Sequence, residues 1–164
     1  MDITLRSPED QDLDFLYLVE NDASQWRTSL SAGPVSRQSL WRYLHEMSGD
    51  LHADGDLRLI IEDVATGMPV GTIDLFDVVA RAGRAFVGIY LKPEARGRGI
   101  GADAIRRVID MARRVYGLRM LAATVATDNV ASARMFASLG FKLSGTLKAW
   151  LPDRGDVDIY QLEL

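Results

Sequence analysis

After the apolar pair Tyr90-Leu91 and the turn Lys92-Pro93 the sequence reads Arg96-Gly97-Arg98-Gly99-Ile100-Gly101, followed by Ala102-Asp103-Ala104. Three glycines at alternate positions let the chain turn tightly and keep side chains from between the peptide N–H groups and a ligand. Ala104, Ile105, Val108 and Ala112 then recur at helical spacing. The unpaired N–H groups of that helix, and the positive end of its dipole, therefore open onto the same space as the glycines. A phosphate or pyrophosphate fits such a nest. No Gly-Lys-Ser/Thr closes the loop, so it is not a P-loop. Gly97-x-Gly99-x-x-Ala102 does match the dinucleotide fingerprint, but that motif opens a βαβ unit and is followed about 20 residues on by a ribose-binding acid. Here three strand candidates come before the strand that feeds the loop, and Asp128 lies too far on and opens a new helix. A nucleotide-dependent oxidoreductase is thereby disfavoured.

The sequence has no cysteine, which excludes disulfides, thiolate metal sites and a cysteinyl acyl-enzyme. Acyl transfer on this chain has to be direct. His45 and His52 lack the spacing and the carboxylate partners of a metal site, and no metal is expected. A net charge of −4 argues against nucleic acid as a partner, which needs a dense basic face, and is compatible with a cationic amine. No apolar run approaches the roughly 20 residues of a membrane span. The start, Met1-Asp2-Ile3-Thr4, lacks the basic-then-apolar pattern of a secretory signal, so a cytoplasmic protein without membrane contact is expected. With 164 residues, 48% hydrophobic and 26% charged, the chain is expected to form one domain over residues 1–164.

The elements that must position the loop follow from periodicity. Ile3 to Arg6 reads as a strand, and Ser7 as the cap of a helix running from Glu9 to about Asn21. That helix carries Leu13, Leu16, Tyr17 and Glu20 on one face, widened by Phe15, Leu18 and Val19. Residues 22–35 are polar and turn-rich around Trp26 and Gly33-Pro34, suited to lining a cleft or to a plain surface connection. A second helix, Ser36 to Met47, has Leu40, Trp41, Tyr43, Leu44 and Met47 as its apolar face, and Ser48 to Asp56 reads as a linker. Leu57 to Asp63, Val70 to Phe76 and Arg84 to Leu91 are strands whose short joins imply an antiparallel meander. Beyond the loop come a helix from Gly101 to Tyr116 with Val115 also turned inward, a buried strand from Met120 to Val125, a helix from Asn129 to Leu139, and a hairpin of Phe141 to Trp150 with Asp156 to Leu164. The order is β-α-α-β-β-β-α-β-α-β-β, an α/β (α+β) chain with a mixed sheet.

The loop resembles motif A of the GNAT superfamily of acyl-CoA-dependent N-acetyltransferases, Arg/Gln-x-x-Gly-x-Gly/Ala after a central strand, with Arg96, Gly99 and Gly101 in place. A second signature follows: Asp128-Asn129-x-x-Ser132 opens a helix that closes with Leu139-Gly140-Phe141. Leu5-Arg6 and Glu20-Asn21-Asp22 look like the branch with spermidine and ribosomal-protein N-terminal acetyltransferases. The resemblance implies a mostly antiparallel central sheet of about six to seven strands, with helices on both faces. It also implies two strands that splay apart, with pantetheine of acetyl-CoA along the freed edge of Ile89, Tyr90 and Leu91. The pyrophosphate would take the N–H groups of Arg96, Gly97, Arg98, Gly99, Ile100 and Gly101. Arg134, or one of Arg106, Arg107, Arg113 and Arg114, would meet the adenosine 3'-phosphate. Asn129 would hold the pantetheine, although Asn is also favoured there as a plain helix N-cap. The expected partners are a small-molecule amine or a peptide N-terminus, and a second copy of the chain in a homodimer.

Two departures from the family pattern bear on chemistry. The tyrosine that commonly protonates the departing thiolate, seven residues after the Asn, is Phe136 here. Ser132 is the candidate acid in its place and Tyr90 the second. The Glu often found on the central strand is Phe86, leaving Asp74 on the next strand, or Glu20 through water, as candidate base. Deprotonating a lysine-like amine of pKa ~10.4 costs about 4.6 kcal/mol at pH 7, against about 1.4 for an α-amine near ~8. A site so equipped is expected to favour an α-amine or another amine of lowered pKa over a spermidine-like polyamine. A non-catalytic acyl-CoA sensor would also account for Phe86 and Phe136.

Overall fold

A computed structural model of the chain describes residues 1–29 and 33–164. The middle of the cleft-loop expectation, residues 30–32, lies outside the described residues.

The strands are β1 (Ile3–Arg6), β2 (Leu57–Asp63), β3 (Met68–Val79), β4 (Arg84–Leu91), β5 (Met120–Ala126), β6 (Lys142–Leu147) and β7 (Val157–Glu163). Among the described residues they form one sheet in the order β1-β2-β3-β4-β5-β7-β6, antiparallel throughout except where β4 runs parallel to β5. This is the expected mixed, mostly antiparallel sheet. The helices are α1 (Leu13–Glu20), α2 (Trp26–Ser29), α3 (Arg37–Glu46), α4 (Leu51–Asp54), α5 (Ile100–Arg114) and α6 (Val130–Ser138).

Strand alternation separates two cores. Leu57, Leu59, Ile61, Ile73, Leu75, Ala85 and Val87 turn to the side covered by α4, α5 and α6. Ile60 turns to the other side and packs with Phe15, Leu16 and Val19 of α1 and Leu40 of α3. Helices thus lie on both faces. Cross-strand register sets the residues of the second face in rows: Ile60, Thr72 and Tyr90 in one, Arg58, Asp74 and Gly88 in the next.

Several local expectations are corrected. Ser7 does not cap the first helix. Asp12, buried, is bonded by both terminal nitrogens of Arg6 and accepts from the Glu9 N–H at 2.8 Å, so the chain enters α1 through a 3₁₀ turn, Asp10–Asp12, with Glu9 as its N-cap. Leu18, Trp41 and Val115 are exposed rather than inward. Trp41 instead stacks on His45, with centroids 3.9 Å apart. The supposed linker holds α4, which Asp50 caps by accepting from the N–H groups of His52 and Ala53, and which drops Leu51 into the core. His45 Nδ1 lies 2.7 Å from the Trp41 carbonyl and His52 Nε2 3.0 Å from that of Tyr116. No helix among the described residues is long and apolar enough to cross a membrane.

Candidate active site

β4 and β5 are neighbours over three residue pairs only, Arg84 with Met120, Ala85 with Leu121 and Phe86 with Ala122. Beyond them the strands part. β3 satisfies the far edge of β4 as far as Leu91, so the near edge from Val87 onward is left open toward β5. A cavity of about 560 Å³ passes through this gap. On the α6 side Ile89, Val125, Asn129, Ser132 and Phe136 line it, and on the α1 and α3 side Glu20, Tyr43, Asp56, Arg58, Asp74 and Tyr90 do.

The glycine loop lies at the end of β4. Gly97 and Gly99 have φ of 70° and 78°, and Gly99 is the N-cap of α5. No backbone carbonyl accepts from the N–H groups of Gly97, Arg98, Gly99, Ile100 or Gly101 among the described residues. Arg96 is a correction: its N–H donates to the Pro93 carbonyl at 3.2 Å, closing a 3₁₀ turn, so the open nest begins at Gly97. Its side chain turns back, Nε donating to the Leu91 carbonyl at 2.9 Å. That takes one acceptor from the strand end expected to face pantetheine. Gly101 serves packing as well, since a Cβ there would stand 2.9 Å from Met135 Sδ and 3.5 Å from Leu91.

Asn129 proves to be a helix cap: its Oδ1 accepts from the Ser132 N–H at 3.1 Å. Among the described residues only its oxygen is used, so the amide NH₂ is left as a donor in the cavity wall. The two roles separate by substitution. Asn129→Asp keeps the cap and loses the donor, whereas Asn129→Ala loses both and about 1 kcal/mol of stability. Both variants are expected to raise the acetyl-CoA dissociation constant about five- to tenfold, the worth of one hydrogen bond. Only the alanine variant should melt earlier. An aspartate variant with unchanged affinity would leave Asn129 as a cap alone.

Phe136 is buried edge-on against Phe141 and carries no hydroxyl into the site. Phe86 stacks on Phe76, with centroids 5.7 Å apart. Tyr90 and Ser132 both reach the cavity, and burial, helped by Asp22, raises the Tyr90 phenol above its usual pKa. Arg134 is exposed on α6, away from the cavity lining.

The acceptor side holds residues that sequence reasoning passed over. Arg58 makes two bonds to Asp74, Nε to Oδ1 at 2.8 Å and Nη2 to Oδ2 at 3.0 Å, and a third to Glu20. Burial alone would lower the Arg58 pKa, but Asp74 and then Glu20 carry it above its ordinary value. Tyr43 lies beside them, its phenol pushed up to about 12 by burial. Arg58, Asp74 and Asp56 could have been placed on one face only from the β2–β3 register, which the sequence leaves open. Gln25, Thr28 and Ser29, around α2, line the cavity, so part of the segment expected at the cleft does reach it. Arg27 ties this segment to Asp153 at 2.6 Å and to Asp128 at 3.1 Å, while the Trp26 indole donates to the Glu20 carbonyl.

A family model described as an acetyltransferase (GNAT) domain matches residues 2–142. The chain belongs to the GNAT acetyltransferases. As such it is an enzyme that uses acetyl-CoA to acetylate an amine. It is 27% identical to an uncharacterized N-acetyltransferase, p20, of Bacillus licheniformis over 99% of this chain and 92% of that one. An L-methionine sulfoximine/L-methionine sulfone acetyltransferase of Salmonella typhimurium is 35% identical over 46% of each chain. Another relative, the uncharacterized N-acetyltransferase YoaA of Bacillus subtilis, is matched over 65% of this chain and 62% of its own length at 29% identity. Among solved structures, spermidine N-acetyltransferase from Vibrio cholerae, in complex with CoA and spermine, superposes with a TM-score of 0.87 at 22% identity, covering 98% of this chain and 95% of that one. That likeness is one of fold. A dodecameric form of the same Vibrio cholerae enzyme is also similar in fold, at 24% identity and a TM-score of 0.81.

Proposed function

We propose that residues 1–164 form one acetyltransferase domain that holds acetyl-CoA and a primary amine together in the through-sheet cavity and moves the acetyl group directly between them. The observation that carries this reading is the parting of β4 from β5 after Phe86 and Ala122, which opens a strand edge onto a cavity with a separate face for an acceptor. The chain's residues fit the co-substrate: unpaired N–H groups from Gly97 to Gly101 suit a pyrophosphate, the Val87 to Leu91 edge suits an amide-bearing arm, and Asn129 adds a donor. Acetyl-CoA supplies the acyl group as a thioester, whose C–S bond breaks as the C–N bond to the acceptor forms.

Tyr90 and Ser132 are the groups we assign to return a proton to sulfur. Tyr90 keeps its proton throughout the neutral range because its pKa lies above the usual phenol value. Asp74, the candidate base, is better cast otherwise. Both its oxygens are occupied by Arg58, so it fixes that guanidinium in the acceptor wall, and the amine loses its proton to water. An acceptor of lowered pKa suits such a site. A sensor reading finds no support in an acceptor face so built. A cytoplasmic location is part of this proposal, and self-association, expected as a homodimer, is supported by the dodecameric Vibrio cholerae enzyme of the same fold.

The test is thiol release from acetyl-CoA across a panel of polyamines, amino acids, aminoglycosides and N-terminal peptides. At least one primary amine is expected to release thiol in step with its own acetylation. Binding of acetyl-CoA with no release by any of them would contradict the reading.

A further inference from the structure

Among the described charged residues of the cavity wall, Asp56 is the one outside the Arg58 ion-pair cluster. Its Oδ1 is buried without a hydrogen-bond partner, and no ion pair reaches the side chain among the described residues. Leaving a buried carboxylate oxygen unpaired is costly unless something else completes it. The neighbouring cation is already committed, since Arg58 is shared between Glu20 and Asp74. The acceptor wall therefore holds three carboxylates, Glu20, Asp56 and Asp74, against one guanidinium.

Position adds to charge. Asp56 precedes Arg58 by two residues, and Leu57 pairs with Leu75, so strand alternation puts Asp56 on the cavity face next to Phe76. Phe76 in turn stacks on Phe86. A carboxylate beside an aromatic face is a site for an ammonium ion. It lies two residues along the strand from the row of Arg58, Asp74 and Gly88, a distance of about 7 Å.

We propose that Asp56 is a specificity-determining residue that pairs with a second positive charge on the acceptor, held beside Phe76 while the reacting amine lies by Gly88 and Tyr90. The inference rests on the transferase reading above. Burial raises the Asp56 carboxyl above its ordinary pKa, with Asp54 and Asp74 adding to the effect. The folded protein therefore holds that proton more tightly than the unfolded chain, and stability is given up as pH rises through the folded-state value. At neutral pH the residue costs stability, as expected of a group kept for a ligand. A dicationic acceptor departs from the expected preference against polyamines, but its second ammonium lowers the pKa of the first by repulsion, which suits a site with no direct base.

Putrescine, a four-carbon diamine, and butylamine, its single-charge counterpart, are the probes, each run at saturating acetyl-CoA. The parent protein is expected to favour putrescine in kcat/KM by about tenfold or more, the worth of one charge-assisted contact. Asp56→Asn should erase most of that preference by raising KM for putrescine with kcat little changed, shift butylamine by less than about threefold, and melt no earlier than the parent. Asp56→Glu should restore part of the preference. Independently of any variant, added salt should lower kcat/KM of the parent for putrescine more steeply than for butylamine. No preference in the parent, equal losses for both amines, or a fall in kcat alone would overturn the assignment. Failure of every amine to release thiol would overturn the transferase reading, and this proposal with it.

Discussion

Replacing Gly99 with glutamate should weaken acetyl-CoA binding by at least about a hundredfold, or roughly 2.7 kcal/mol. The residue caps α5, its N–H opens into the unpaired series from Gly97 to Gly101, and a Cβ built on it meets nothing within 4 Å. A carboxylate there would compete for donors that suit a pyrophosphate and would repel it, forfeiting charge-assisted hydrogen bonds worth about 1.5–3 kcal/mol each. The cost to folding is separate and smaller. With φ at 78° a side chain at this position carries about 1–2 kcal/mol of backbone strain. Gly99→Asn is the matching control, because Asn tolerates the left-handed region and brings no charge. Calorimetric titration with acetyl-CoA should show binding nearly kept in the asparagine variant and lost in the glutamate variant, both folded by circular dichroism. Equal affinity in the two would remove the pyrophosphate from this loop. Gly101→Glu is no substitute test. A Cβ at Gly101 would stand 2.9 Å from Met135 Sδ, so that substitution disturbs packing as well as charge.

Arg58→Met should destabilise the protein by about 3–5 kcal/mol, the usual penalty for removing one partner of a buried ion pair. The side chain is 21% exposed and its partners Glu20 and Asp74 are 23% and 26% exposed. Methionine keeps most of the volume, so the loss reports charge rather than a cavity. Two carboxylates would be left facing each other and Asp56 across the acceptor wall. The deficit is read from urea denaturation at neutral pH. A deficit below about 1 kcal/mol would class the triad with surface pairs.

The sequence was legible where periodicity and punctuation agree. Strand β4 and the start of α5 fall where alternation and the glycines put them, and Asn129 heads α6 as its type suggests. Legibility failed where one residue answers to two demands. Asp12 falls inside the helix expected from Glu9, yet it is buried against Arg6, six residues earlier, and the α-helix starts only at Leu13. Trp41 and Leu18 have the spacing of core residues but fall outside the stripe that faces the sheet. The acceptor wall was least legible. Asp56 closes what reads as a polar linker, and its place beside Phe76 depends on a strand register that local sequence does not encode. Arg58 and Asp74 are sixteen residues apart and meet for the same reason. The cofactor side is written in contiguous motifs, and the acceptor side is assembled by sheet pairing.

Initial rates measured over a matrix of acetyl-CoA and the best acceptor from the amine panel test the central claim most directly, since direct transfer requires both ligands in the cavity at once. Double-reciprocal lines are expected to intersect, and protein denatured after exposure to labelled acetyl-CoA alone should carry no acetyl group. Parallel lines, or label retained on the chain, would show a covalent acyl-enzyme and contradict it.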